Sequence, residues 1–340
     1  MAATAERARL LSQREQKSVQ SYRDILSRMP SVLEQAQKEA KESDIATTPE
    51  GKFVFAYLTA TQRLLIPALN DMALVNADLL EPTGGPEYNP HRSIDEIGTA
   101  VALQLAAQTK DIPKFWLRSE ESAAWERATP ENNSAVPRDG LRFAIIDPLD
   151  MTHSLTKGNR VQTTGISIFD QNGTLKTVGI ASLVDTRFAF IECTDQTRVY
   201  TNFALPPIDQ NSDTQSVRVA TLTRRMHNLR SLPLFTRGGK WDLDCASGYA
   251  VLGLQEGTID TIIDPIKGNP WYEVAIWASA AQALGYPVTD WDNNPIDISA
   301  IVRHVIEKHE DDTYRIPFVI SRTPEIHQKV LSLLREQPSR

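Results

Sequence analysis

Apolar and polar positions follow two rhythms along this chain, and the change between them predicts its layout. Residues 5–43 are rich in Ala, Glu, Gln, Lys, Arg and Leu with scattered apolar positions. That composition favours helix, and Pro30 in its middle predicts two successive helices. Residues 52–80 carry a second helical pattern that includes Phe53, Tyr57, Leu58, Leu64 and Leu65, with a break at Pro67. Pro82–Pro90, enclosing Gly84 and Gly85, is a loop by composition. Ser93–Gln108 reads as a helix, because Ile97, Val101 and Leu105 recur at four-residue spacing behind a candidate cap, Ser93. Asp95 falls in its first turn.

A short strand is expected over Lys114–Arg118, leading into Glu120, Glu121 and Ser122, and an exposed loop over 127–140. Phe143, Ala144, Ile145 and Ile146 are four apolar residues in succession, which suits a strand covered on both faces. Pro148 cannot join a hydrogen-bonded ladder, so that strand is expected to stop at Asp147. Asp150, Thr152 and Ser154 then offer cap oxygens for a helix. Four β-like segments follow near 161–169, 174–184, 187–193 and 197–203, and Asn172-Gly173 and Asp185-Thr186 mark the turns of an antiparallel meander. Residues 206–214 are polar and proline-bearing, a link. Beyond them strands near 216–222, 233–237, 258–264, 286–291 and 316–321 alternate with helices near 244–256, 270–284 and 323–335. The chain is thus expected in three parts: a helical extension over 1–92, an α+β half over 93–205 and an α/β half over 206–340.

At 340 residues and 41% hydrophobic content the chain can bury a large core. Its net charge of −7 and scattered basic residues argue against a nucleic-acid polymer as partner. Cys193 and Cys245 stand far apart, so neither a disulfide framework nor a cysteine-rich metal site is indicated. Residues 1–12 lack an apolar leader core and no later run approaches a membrane span. The expectation is a cytoplasmic protein, with no membrane partner, acting on small molecules.

Acids stand at the ends of three expected elements: Glu120 and Glu121 after a strand, Asp147 and Asp150 after another, and Glu273 at a helix start. Hard divalent cations such as Mg²⁺ want such oxygen ligands, and a helix N-terminus beside them can hold phosphate on its N–H groups. The same residues are also ordinary turn and cap chemistry, and any one of these acids taken alone reads as a solvated surface group. On the residues alone, turn and metal site remain alternatives.

Glu120-Glu121-Ser122, then Asp147-Pro148-Leu149-Asp150 with Thr152, then Tyr272-Glu273-Val274-Ala275, and Ala283-Leu284-Gly285-Tyr286-Pro287-Val288-Thr289-Asp290 come in an order that resembles the inositol monophosphatase family. That family belongs with the lithium-sensitive, metal-dependent phosphatases that include fructose-1,6-bisphosphatase. The match runs from about residue 93 to the C-terminus, includes Gly257-Thr258-Ile259-Asp260, and is poor before it. The resemblance implies a layered αβαβα sandwich, a divergent member of the family, and a homodimer.

It further implies that Glu120, Asp147 and the Leu149 carbonyl hold one Mg²⁺, and that Asp147, Asp150 and Glu273 hold a second. Two or three ions are implied, with Mn²⁺ as a substitute. Thr152 paired with Asp95 would orient and deprotonate the attacking water, and the N–H groups of Met151 and Thr152 would hold the phosphate. Asp264 corresponds to the acid that contacts a substrate hydroxyl, and Cys245, Ala246 and Ser247 to the small-residue substrate wall. His153, Arg224, Arg225 and Lys240 are further candidates for substrate charge, each also readable as a solvated surface residue.

The pattern departs from the family in three places. Met151 replaces a glycine, Tyr272-Glu273 replaces Trp-Asp with about two extra residues after Asp264, and the segment between Glu120 and Asp147 is longer. The function expected is a Mg²⁺-dependent phosphomonoesterase acting on a small phosphorylated polyol, sugar or nucleoside. Two alternatives stand beside it: a 3′-phosphonucleotide or sugar bisphosphate phosphatase, and a family member without turnover that serves binding or assembly.

Overall fold

A computed structural model describes residues 2–71, 93–111, 114–119, 125–127, 141–150, 161–204, 217–221, 240–241, 247–308 and 315–336. Helix α1, Ala2–Glu42, runs through Pro30 without a break, so the two helices expected there are one. Proline inside a helix removes a backbone donor and crowds the preceding turn, at about 3 kcal/mol or more. Against that, Ile25, Met29, Leu33, Ala36 and Ala40 form a buried stripe at three- and four-residue spacing that crosses the proline. Burying this stripe against α2, Pro49–Ala68, outweighs the local defect. Thr48 caps α2 by accepting the Gly51 N–H at 2.9 Å, and Pro49 sits at the first position, where its missing donor is harmless. Helix α3 spans Ser93–Gln108, as its periodicity predicts.

The first sheet contains β1 (Lys114–Ser119), β2 (Glu126–Arg127), β3 (Leu141–Asp150), β4 (Thr163–Asp170), β5 (Leu175–Ser182), β6 (Phe188–Cys193) and β7 (Thr197–Thr201). Its order is β2-β1-β3-β4-β5-β6-β7, and of its pairings only β1 with β3 is parallel. Strands β4–β7 are the expected meander. At its first turn Gly173 has φ 75°, the left-handed region that glycine enters without a Cβ penalty.

The second sheet contains β8 (Arg218–Ala220), β9 (Lys240–Trp241), β10 (Thr261–Pro270), β11 (Val288–Thr289) and β12 (Arg315–Ser321), in the order β11-β12-β10-β8-β9. Helices α4 (Ser247–Glu256), α5 (Trp271–Ala283), α6 (Ile298–Lys308) and α7 (Pro324–Arg335) complete the described elements.

Strand alternation sorts the core into layers. Along β3, Ala144 and Ile146 join the cluster of α1–α3, whereas Phe143 and Ile145 join the one containing α4–α6. In the second sheet, Ile262, Phe318 and Ile320 belong to that same middle cluster, while Val219, Ile263 and Val319 pack with Ile326, Val330 and Leu334 of α7. Helix, sheet, helix, sheet and helix are stacked in turn, the expected αβαβα sandwich.

Four expectations are corrected. Strand β3 does not stop at Asp147. It pairs with β4 as far as Asp147 opposite Gly165, slips, and resumes with Asp150 opposite Thr163. A slip of this kind tolerates Pro148, because the proline falls where the ladder is already interrupted. Strand β10 likewise runs past Asp264 to Pro270, with a register shift between Asp264 and Asn269. Helix α6 was not expected, although Ile298, Val302 and Val305 give it a buried stripe at helical spacing. Of the loop expected over 127–140, Arg127 is instead in β2, and the rest lies outside the described residues, as do the loop at 82–90, the link at 206–214, the strand near 233–237 and the helix start at 151–154. Among the described residues no helix is long and apolar enough to cross a membrane.

His327 of α7 ties the second sheet to its outer helix. It is buried, with Nδ1 3.0 Å from Ser321 Oγ and Nε2 2.9 Å from Thr289 Oγ1. The Thr289 hydroxyl donates to the Asp290 carbonyl, so Nε2 is the donor to Thr289. Burial lowers the His327 pKa to about 4. Unfolded, the ring takes its proton near pH 6.5, so the stability it contributes is complete above that pH and is lost as pH falls towards 4. Urea unfolding of wild type and His327→Gln across pH 4–8 should show a wild-type excess of acid sensitivity in that window. Parallel curves would refute the assignment.

Candidate active site

Asp147 and Asp150 close the C-terminal end of β3, and both are buried, at 1% and 5% exposure. The resumed ladder places Asp150 next to α4. Its Oδ2 accepts the Gly248 N–H at 3.1 Å and is 3.5 Å from Thr163 Oγ1. Burial, and then the charge of Glu273, push the Asp150 carboxyl up to about 8, against the donors Gly248, Ser247 and Thr163. Glu273 stands in the first turn of α5, half-buried, so the charge of an acid on another element reaches Asp150. Leu149 buries its side chain in the α1–α3 cluster.

Helix α3 brings Asp95 to the same end of β3. A Cβ on Gly98 would lie 2.6 Å from Pro148 Cβ, so the helix rests directly on the proline at a residue that must be glycine. Asp95 lies three residues earlier, on the same helix face, and is 1% exposed. Thr99 Oγ1 also meets Ser119 Oγ at 2.8 Å. Strand β1 ends at Ser119, which pairs with Ile146, the residue before Asp147. Glu120 itself, with Met151, Thr152 and His153, lies outside the described residues.

The second sheet brings Ser247 and Asp264 together. Both line a cavity of about 10 Å³ with Thr221, Asn269, Ala220 and Phe318. Asn269 donates from Nδ2 to Ser247 Oγ at 3.2 Å. Cys245, Ala246, Arg224 and Arg225 lie outside the described residues, as does the Lys240 side chain. Three site residues were missed in the sequence. Asn269 and Thr221 belong to no motif, and Tyr57 was counted only as an apolar helix position. Tyr57 reaches Thr164 Oγ1 at 3.0 Å, and Thr164 Oγ1 donates to the Asp147 carbonyl at 3.3 Å.

Among the described residues no three carboxylate, imidazole or thiolate side chains form a complete metal centre. The donor set nonetheless fits a hard cation. Buried Asp147 and Asp150 share one strand end, Glu273 adds charge that disfavours ionisation of Asp150, and a divalent ion relieves that conflict.

No protein-family model matches the sequence, and no curated protein matches it. Solved structures do. The extragenic suppressor protein suhB from Bartonella henselae superposes with a TM-score of 0.61 at 15% identity, over 85% of this chain and 99% of that one. The fold is that of the inositol monophosphatases. A staphylococcal inositol monophosphatase complexed with products gives 0.59 at 16% identity, over 84% and 95% of the two chains. An inositol monophosphatase/NADP phosphatase complexed with Mg²⁺ and phosphate gives 0.56 at 15%, over 81% and 92%. Within the inositol monophosphatase fold, the junction of β3, α3, α4 and α5 is where this chain places three of its buried acids, Asp95, Asp147 and Asp150.

The raised Asp150 pKa fixes the sign of a pH effect. The unfolded carboxyl ionises near pH 4, so its contribution to stability is complete below that and is lost as pH rises through about 8. In EDTA, the difference between wild type and Asp150→Asn in urea midpoint should shift against wild type as pH rises from 4 to 8. Mg²⁺ should restore wild type most at the alkaline end. A pH-independent difference would refute the Asp150–Glu273 conflict.

Proposed function

We propose that this protein is a Mg²⁺-dependent phosphomonoesterase acting on a small phosphorylated polyol, sugar or nucleoside. The observation that carries the proposal is buried Asp147 and Asp150 at one end of β3, with the charge of Glu273 acting on Asp150. Sequence distance would not bring these acids together, and oxygen donors of this kind are what Mg²⁺ requires. The inositol monophosphatase fold, in which one similar structure is complexed with Mg²⁺ and phosphate, supports the same reading.

In this proposal Glu120, Asp147, the Leu149 carbonyl, Asp150 and Glu273 hold the metal. When bound, Mg²⁺ neutralises phosphoryl charge and acidifies water. Asp95, at the Pro148 end of β3, orients the attacking water with Thr152 and takes its proton onto a carboxylate oxygen. The N–H groups of Met151 and Thr152 bind phosphate oxygens. Asp264 and Ser247 orient the alcohol portion by hydrogen bonds, and a homodimer is proposed as the assembly. Positioning and charge carry most of such a reaction, so no covalent phosphoenzyme is needed.

Phosphate release measured over polyol, sugar and nucleoside monophosphates should proceed with Mg²⁺ and stop with EDTA. Asp147→Asn should lower kcat/KM by at least about 100-fold, since even outer residues of metal sites cost up to that much. Faster turnover of 3′-phosphonucleotides or bisphosphates would assign the activity to that class instead. Absence of metal-dependent release on every substrate, or an Asp147→Asn variant as active as wild type, would overturn the proposal.

A further inference from the structure

We propose that Tyr57 is a positioning residue for Asp147, acting through Thr164 from a helix outside the acid-bearing elements. The inference rests on the metal-site reading above. Tyr57 and Thr164 are both fully buried, and the two oxygens are 3.0 Å apart. A threonine hydroxyl has one proton, and that of Thr164 is directed to the Asp147 carbonyl at 3.3 Å. Thr164 therefore accepts from Tyr57, and the relay has one direction: phenol to hydroxyl to carbonyl. Burial, and beyond it the Asp147 charge, raise the phenol's pKa, so it stays a donor.

The relay ends at a sensitive point. Asp147 is the last residue of β3 in regular register with β4 before the slip at Pro148. A backbone at the edge of an interrupted ladder has fewer constraints than one inside it, and the Asp147 side chain moves with that backbone. A hydroxyl donor on its carbonyl supplies a constraint the ladder withdraws one residue later.

Helix α2 is a firm base for such a donor because it is fastened on both sides of Tyr57. Before it, buried Glu192 of β6 accepts Thr47 N and Thr48 N, each at 3.0 Å, and the hydroxyls of Thr47 and Thr48 at 2.7 and 2.8 Å. After it, Gln62 Nε2 donates to the carbonyls of Ser182 at 2.8 Å and Arg187 at 3.2 Å. Between these clamps a Cβ on Gly179 would lie 2.6 Å from Leu58 Cδ1, so helix and β5 are in close contact. Helix α2 thereby acquires a role at the site to which it contributes no acid.

The test uses the full chain and compares Mg²⁺ affinity by calorimetry with urea unfolding in EDTA for wild type, Tyr57→Phe, Thr164→Val, Thr164→Ser and the Tyr57→Phe/Thr164→Val pair. Tyr57→Phe and Thr164→Val should each weaken Mg²⁺ binding by about 10-fold, the lower end for residues that orient metal ligands. The double variant should be no worse than the weaker-binding single one, because both break one relay. Thr164→Ser, which keeps the hydroxyl, should restore most of the affinity lost in Thr164→Val. Tyr57→Phe with wild-type Mg²⁺ affinity overturns the inference, whether or not its stability falls. Wild type that binds no Mg²⁺ overturns the metal-site reading, and this inference with it.

Discussion

The charge of Glu273 opposes ionisation of buried Asp150, and the surrounding structure keeps the two within reach despite that. Backbone N–H groups at the start of α4 and the Thr163 hydroxyl offset part of the cost on Asp150. Glu273 sits in the first turn of α5, where the helix dipole favours an acid. What remains is a conflict of the kind a divalent cation resolves. The local instability and the proposed chemistry share one origin, the burial of like charges.

The two strands that feed the site solve the same problem in the same way. Strand β3 slips between Asp147 and Asp150, and β10 shifts between Asp264 and Asn269. A regular ladder turns successive side chains to opposite faces at fixed spacing, and a slip releases that restriction at chosen residues. Around these interruptions the packing is tight. Helix α3 rests on Pro148 through Gly98, and Trp277 of α5 presses on Gly165, the register partner of Asp147. Irregular backbone is therefore confined between regular, well-packed elements, which is how acids on it keep a defined arrangement.

Much of this was legible beforehand, and the misreadings have a common cause. The four apolar residues Phe143–Ile146 announced a strand covered on both faces, and Ile97, Val101 and Leu105 announced α3. Pro30 and Pro148 were each read as an end, whereas α1 and β3 continue through them. In α1 burial along the whole element outweighs the local cost of proline, and in β3 the proline falls where the ladder is interrupted, so both elements continue. Helix α6 could have been read from Ile298, Val302 and Val305.

The sequence by itself determined which residue types are present, where apolar periodicity builds strand or helix, and the order in which Asp147, Asp150 and Glu273 occur. Those are local properties, carried by neighbours a few positions away. Only the tertiary structure decided that Glu273 comes within electrostatic reach of Asp150, that Asn269 joins Ser247 beside Asp264, and that Tyr57 reaches Asp147 through Thr164. Tyrosine, threonine and asparagine carry no motif that declares such a role. Their partners are brought near by layer packing over separations of up to 107 residues, and no local pattern records that distance.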